Sequence, residues 1–71
     1  MEISARQSRA ARALLGWTQK TLADKAGVAL RTVQDFEARR RTPLHVVRAT
    51  IKQTFEQNGI EFLSGDGVRF K

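Results

Sequence analysis

The chain has 71 residues, no Cys and a single His, which excludes disulfides, thiolate metal sites and a histidine-built metal centre, and leaves room for one domain. So short a domain buries only roughly 60% of its unfolded surface, so oligomerisation is the natural remaining support. Lys and Arg number 13 against 7 Asp and Glu, a formal charge of +6, and the basic excess points to a polyanionic partner, nucleic acid first and an anionic membrane second.

Residues 4–15 read as a first helix: Ser4 is a capping residue with Gln7 three positions on, a capping-box spacing. Ala11, Leu14 and Leu15 are expected to face inward, and Gly16 to end the helix. Residues 18–26 read as a short second helix, with Thr18 as cap, Leu22, Ala23 and Ala26 at helical spacing and Gly27 as stop. Residues 30–38 read as a third, with Val33 and Phe36 on one side and Leu30, Arg31, Gln34 and Asp35 on the other. Arg39, Arg40 and Arg41 follow, then Thr42 and Pro43, which read as cap and first residue of a fourth helix over about 43–58. Leu44, Val47, Ile51 and Phe55 would form its apolar stripe. After Asn58-Gly59 the period changes to two: Ile60-Glu61-Phe62, a turn over Ser64-Gly65-Asp66-Gly67, and Val68-Arg69-Phe70, a hairpin pattern.

The charge is unevenly placed: residues 1–52 hold eleven bases and four acids, and residues 53–71 two bases and three acids. No apolar run reaches the roughly 18 residues of a spanning helix. The N-terminal stretch has no continuous apolar segment of the secretory kind. A soluble, cytoplasmic protein is expected, with no membrane role. No Ser or Thr has a His and acid in a sequence context that suggests a nucleophile, and no Gly-rich phosphate loop is present, so no catalytic residue, cofactor or metal is expected.

Helix, Gly27 turn, helix over residues 18–38 is the helix-turn-helix pattern, in which the second helix enters the major groove of DNA. The stretch GWTQKTLADKAGVALRTVQDFE resembles the helix-turn-helix family of phage repressors, Cro and Xre-type bacterial regulators. The residues carrying the resemblance are Gln19, Leu22, Ala23, Gly27, Val28, Thr32, Val33, Phe36 and Glu37, and it extends over roughly residues 4–58. Its expected architecture is mainly α: a four-helix repressor-like domain over 1–58 with a short C-terminal β-hairpin over 59–71.

Several roles follow from this resemblance and from groove chemistry. Leu30 and Arg31 sit at the end of the third helix that reaches deepest; Leu30 suits a thymine methyl and Arg31 suits guanine O6 and N7. Gln34 suits adenine or a phosphate. Asp35 either accepts from cytosine N4 or orients Arg31 as an i,i+4 pair. Gln19, Thr18 and Thr32 are candidate phosphate contacts, with helix capping or a solvated face as the plain alternative. The Arg39-Arg40-Arg41 loop is expected along the phosphate backbone, contributing affinity without sequence information. Arg12 and Glu37 resemble a family pair bridging the first and third helices, which leaves Arg6 and Arg9 near the surface. Ala29 stands where the family often has a Ser or Thr cap, a loss of about 1 kcal/mol. Trp17 reads as a core plug and His45 as a surface residue. Ile60, Phe62, Val68 and Phe70 are assigned to a two-fold dimer interface, which would set the recognition helices roughly 34 Å apart on an inverted repeat.

The function expected is a sequence-specific regulator of transcription on double-stranded DNA, a repressor before an activator, working as a homodimer in a bacterial nucleoid or phage-infected cell. The alternative is a protein-interaction module on the same fold, such as an antiactivator or antitoxin with a regulatory protein partner.

Overall fold

Helix boundaries in this chain are written by its caps. The computed structural model describes residues 2–71, and its first helix, α1 (Ala5–Leu15), opens on a complete capping box. Ser4 Oγ accepts from the Gln7 amide at 3.0 Å and Gln7 Oε1 accepts from the Ser4 amide at 3.0 Å. Gly16 closes it at φ 68°, a left-handed conformation that costs glycine no Cβ clash. α2 (Gln19–Ala26) starts on Thr18, whose Oγ1 accepts from the Thr21 amide at 3.0 Å, and ends on Gly27 at φ 71°. α3 (Leu30–Glu37) follows with Ala29 as cap and no side-chain cap bond. α4 spans His45–Gln57, and β1 (Ile60–Phe62) pairs antiparallel with β2 (Val68–Phe70), Ile60 opposite Phe70 and Phe62 opposite Val68.

The four helices and the hairpin share one core. Ile3, Ala11, Leu22, Val33, Ile51, Phe55 and Ile60 are all but sealed from solvent. Trp17 stacks on Phe55 with centroids 5.6 Å apart, and Phe62 meets Phe55 edge-on at 6.0 Å. Trp17 is thus a core plug, covered from outside by Lys25, whose ammonium lies 5.3 Å from its ring.

Four expectations are corrected. Leu14 does not face inward: the buried line of α1 runs through Ser8 and Ala11 to the half-buried Leu15, and Leu14, one position off it, is exposed. α4 does not start at Pro43. Thr42 and Pro43 belong to an extended connection, and the cap is Leu44 at φ −55°, ψ 150°. α4 has no acid in its first turn; Glu2 supplies one from the chain's start, bonding His45 and, at 2.7 Å, Arg48, where a carboxylate complements the helix dipole. Leu44 consequently lies off the apolar stripe and is 74% exposed. Finally, Ile60 faces its own core and not a partner. It is fully buried, Phe62 and Val68 pack on the same core, and only Phe70 of the hairpin's assigned interface residues stays open, at 51%.

The hairpin is fastened to α1 by polar contacts. The buried Gln7 amide donates to the carbonyls of Leu63 and Gly67, both at 3.1 Å, and Ser4 Oγ donates to Asp66 at 2.7 Å. Arg6 lies 3.4 Å from the same Asp66. Two carbonyls of the turn and a buried amide are thereby paired at once, which a short hairpin needs to persist in water.

Candidate nucleic-acid interface

α3 has two unlike sides. Val33 and Phe36 fix it to the core, and Glu37 at its last turn is the centre of a polar hub. Arg12 Nη2 reaches Glu37 Oε1 at 2.6 Å, and Arg12 Nε lies 3.1 and 3.0 Å from its two carboxylate oxygens. Ser8 Oγ donates to Oε2 at 2.5 Å and Gln19 Nε2 to Oε1 at 3.1 Å. Arg9 donates to the Glu37 backbone carbonyl at 2.5 Å, and Arg12 Nη1 to that of Trp17 at 3.1 Å. Burial pushes the Glu37 carboxyl up, but the bonds from Arg12, Ser8 and Gln19 outweigh it, and the net shift is downward. The resemblance anticipated Arg12 with Glu37; it did not anticipate Ser8, Arg9 or Gln19.

The opposite side of α3 faces solvent with Leu30 (38% exposed) and Arg31, followed one turn later by the half-buried Gln34. Thr32 is half-buried beside them. Asp35 stands apart from this set. Its side chain is only 10% exposed and is ion-paired to Arg31 at 3.2 Å and to Arg40 at 3.0 Å. The bond from Arg40, reinforced by that from Arg31, outweighs desolvation and holds its carboxyl below the usual aspartate range. Of the two roles open to Asp35, the geometry matches orientation of Arg31. Gln19 is similarly engaged, its amide nitrogen donating to Glu37 Oε1. Thr18 Oγ1 caps α2 and lies 2.9 Å from Thr21 Oγ1.

Beyond α3 the chain turns sharply. Arg39 adopts φ 60°; its amide bonds the Phe36 carbonyl at 3.1 Å and the Arg40 amide bonds the Asp35 carbonyl at 2.9 Å, the paired bonds of a Schellman end. Glycine is the usual residue there, and an arginine holds the left-handed conformation at a cost of roughly 1 kcal/mol. All three arginines of this loop are exposed, and among the described residues Arg39 and Arg41 make no ion pair. Two cations outside any close ion pair, Arg39 acting only at longer range on Asp66, on a strained turn beside an exposed helix face, form a surface ready for an anion.

A helix-turn-helix family profile matches residues 9–46, more than half of the chain. The chain belongs to the helix-turn-helix family. The matched segment holds all of α2 and α3 and most of α1, and the family is the Xre/Cro-like one of DNA-binding regulators. As a helix-turn-helix protein of that type it is a DNA-binding regulator, and α2 and α3 are the two helices of the motif. No curated protein matches the chain. Among the described residues no helix is long and apolar enough to cross a membrane, and no group of His, Asp and Glu is placed to hold a metal ion.

Proposed function

We propose that this helix-turn-helix protein is a cytoplasmic transcription repressor that binds a specific double-stranded site as a homodimer, α3 of each protomer lying in the major groove of one half of an inverted repeat. The observation that carries the reading is the pairing of an exposed Leu30–Arg31 face on α3 with the exposed Arg39 and Arg41 at its end, neither of them in a close ion pair among the described residues. Base reading then belongs to Leu30, Arg31 and Gln34, and phosphate contact to Arg39, Arg40, Arg41, Thr32 and the α2 start around Thr18. With Ile60, Phe62 and Val68 committed to the core, any dimer contact through the hairpin centres on Phe70. Repression follows from occupying a promoter and excluding polymerase.

The test is selection of sites from random duplex DNA by purified protein at about 150 mM salt, where binding by charge alone is suppressed. Enrichment of an inverted repeat, with sedimentation showing two protomers on it, is the expected result. A pool that never enriches refutes sequence-specific binding and leaves the protein-interaction module. That second reading has its own support in Leu44 and Val46, apolar side chains 74% and 65% exposed just beyond α3.

A further inference from the structure

We propose that Asp35 is a positioning residue that presents two arginine forks at once, Arg31 toward a base edge and Arg40 toward the sugar–phosphate backbone, by holding each through its Nε atom. Arg31 Nε lies 3.2 Å from both carboxylate oxygens, and Arg40 Nε lies 3.0 Å from Oδ1. Neither arginine uses its Nη1 or Nη2 in a hydrogen bond among the described residues, and the two side chains are 78% and 60% exposed. A guanidinium has five N–H donors, one on Nε and four on the terminal nitrogens. A carboxylate that takes only Nε leaves the end-on edge open, and that edge presents two parallel N–H groups to guanine O6 and N7 or to phosphate oxygens. Asp35 therefore fixes the root of each fork without blocking its tip.

The backbone brings the second fork into place. Arg40 is five residues beyond Asp35, a spacing that does not face it on a helix. The left-handed turn at Arg39 folds the chain back, so that the Arg40 and Arg41 amides both bond the Asp35 carbonyl, at 2.9 and 3.3 Å, while the Arg40 side chain bonds the Asp35 carboxylate. One residue thus ties base reader and phosphate loop together by main chain and side chain. The carboxylate also offsets part of the repulsion between two cations held this close. A fork already held in place loses less freedom when DNA arrives than a loose one does. With both oxygens bonded to arginine and its side chain 10% exposed, Asp35 is placed to hold the forks, and direct reading of cytosine is the competing outcome of the test below.

This inference rests on sequence-specific DNA binding, and the experiment separates the two. Wild type, Asp35→Asn, Arg31→Ala and the double variant are each put through site selection, and affinities are measured on the wild-type site and on random duplex. Asn removes the charge and turns an NH2 group toward one of the guanidiniums. The expected result is a tenfold or greater loss on the selected site, flattening at the same base pair that Arg31→Ala flattens, no further flattening there in the double variant, and a clearly smaller loss on random duplex, where only the Arg40 contact to phosphate is loosened. Flattening at a different base pair would mean that Asp35 reads a base, and equal losses on selected and random DNA would mean that it only supports the fold; either overturns the proposal. A wild-type protein that enriches no sequence overturns the DNA reading and this proposal with it. Should Asp35→Asn fail to fold, the wild-type protein still decides: arginine Nε–H resonances of Arg31 and Arg40 should stay protected from exchange in the free protein and on DNA. Loss of that protection for Arg31 on the bound site overturns the mechanism.

Discussion

Replacing Arg12 by Ala should remove about half of the stability of this domain, and should do so in a pH-dependent way. Glu37 is 3% exposed and Arg12 contributes three of the bonds to its carboxylate. Without Arg12 the carboxylate keeps only Ser8 and Gln19, and breaking a buried pair on one side costs about 3–5 kcal/mol. A 71-residue domain has about 4–10 kcal/mol in all. In urea, with a slope of about 1 kcal/mol per molar for so small a protein, the midpoint should fall by about 3 M or more. Glu37→Gln should cost less, about 1–3 kcal/mol, because the arginine it strands lies nearer to water than the carboxylate does. The sign of the pH dependence follows from linkage. In the wild type the folded Glu37 titrates below its unfolded value of 4.5, so its stabilisation is present above that pH and is lost as the pH falls through the lowered value. In Arg12→Ala, burial acts with less opposition and the folded carboxyl moves upward. The variant therefore loses less from protonation, and the gap between the two proteins narrows from pH 7 to pH 4. Urea titrations followed by circular dichroism across that range measure it. A midpoint shift below about 1 M at pH 7, or a gap that does not change with pH, would refute the account of Glu37 as a buried, arginine-compensated charge.

Ala29→Ser should supply the missing cap of α3, adding about 1 kcal/mol and raising the melting temperature by about 4–8 °C; an unchanged melt would show that the bond does not form. Arg39→Gly should relieve the left-handed strain, with a net gain of about 0.5 kcal/mol after the entropic cost of glycine, while weakening binding to all DNA and lowering the salt slope by about 0.9. Stability and affinity moving in the same direction would contradict that. Gln7→Ala should leave the Leu63 carbonyl unpaired and the Gly67 carbonyl with only the Leu63 amide, cost about 1–3 kcal/mol, and speed amide exchange across residues 60–70 more than across α2; uniform acceleration would show that Gln7 does not hold the hairpin specifically.

The parts of this fold legible in the sequence are those decided within a few residues. Ser4 with Gln7, Thr18, Gly16 and Gly27 mark helix ends because a cap is a bond between near neighbours. The same local logic misplaced α4: Thr42-Pro43 imitates a helix start, but the helix opens at His45, beside a carboxylate that arrives from Glu2, 43 positions away in sequence. Leu14 and Ile60 failed for a related reason, since composition marks both as apolar and only packing decides which one is covered. Gln7 and Ser8, polar and fully buried, satisfy partners more than twenty residues distant, and nothing in their spacing announces it. At the candidate site, Arg31, Leu30 and the arginine loop were readable from helical position and charge. The bond from Arg40 to Asp35 was not, because it depends on a backbone turn that the residue type at position 39 argues against.

The two ends of α3 are held with unequal stiffness. Its last residue is gripped by four side chains from α1 and α2, whereas its first turn has no side chain closing it. A rod clamped at one end moves most at the other, and the free end is where Leu30 and Arg31 stand. Backbone order parameters should therefore decline from Glu37 back toward Leu30 in the unbound protein. The tip can then adjust to small differences in groove shape while the clamped end keeps the angle of approach, so that flanking sequence, which alters shape without altering the contacted bases, will register in affinity as a graded effect.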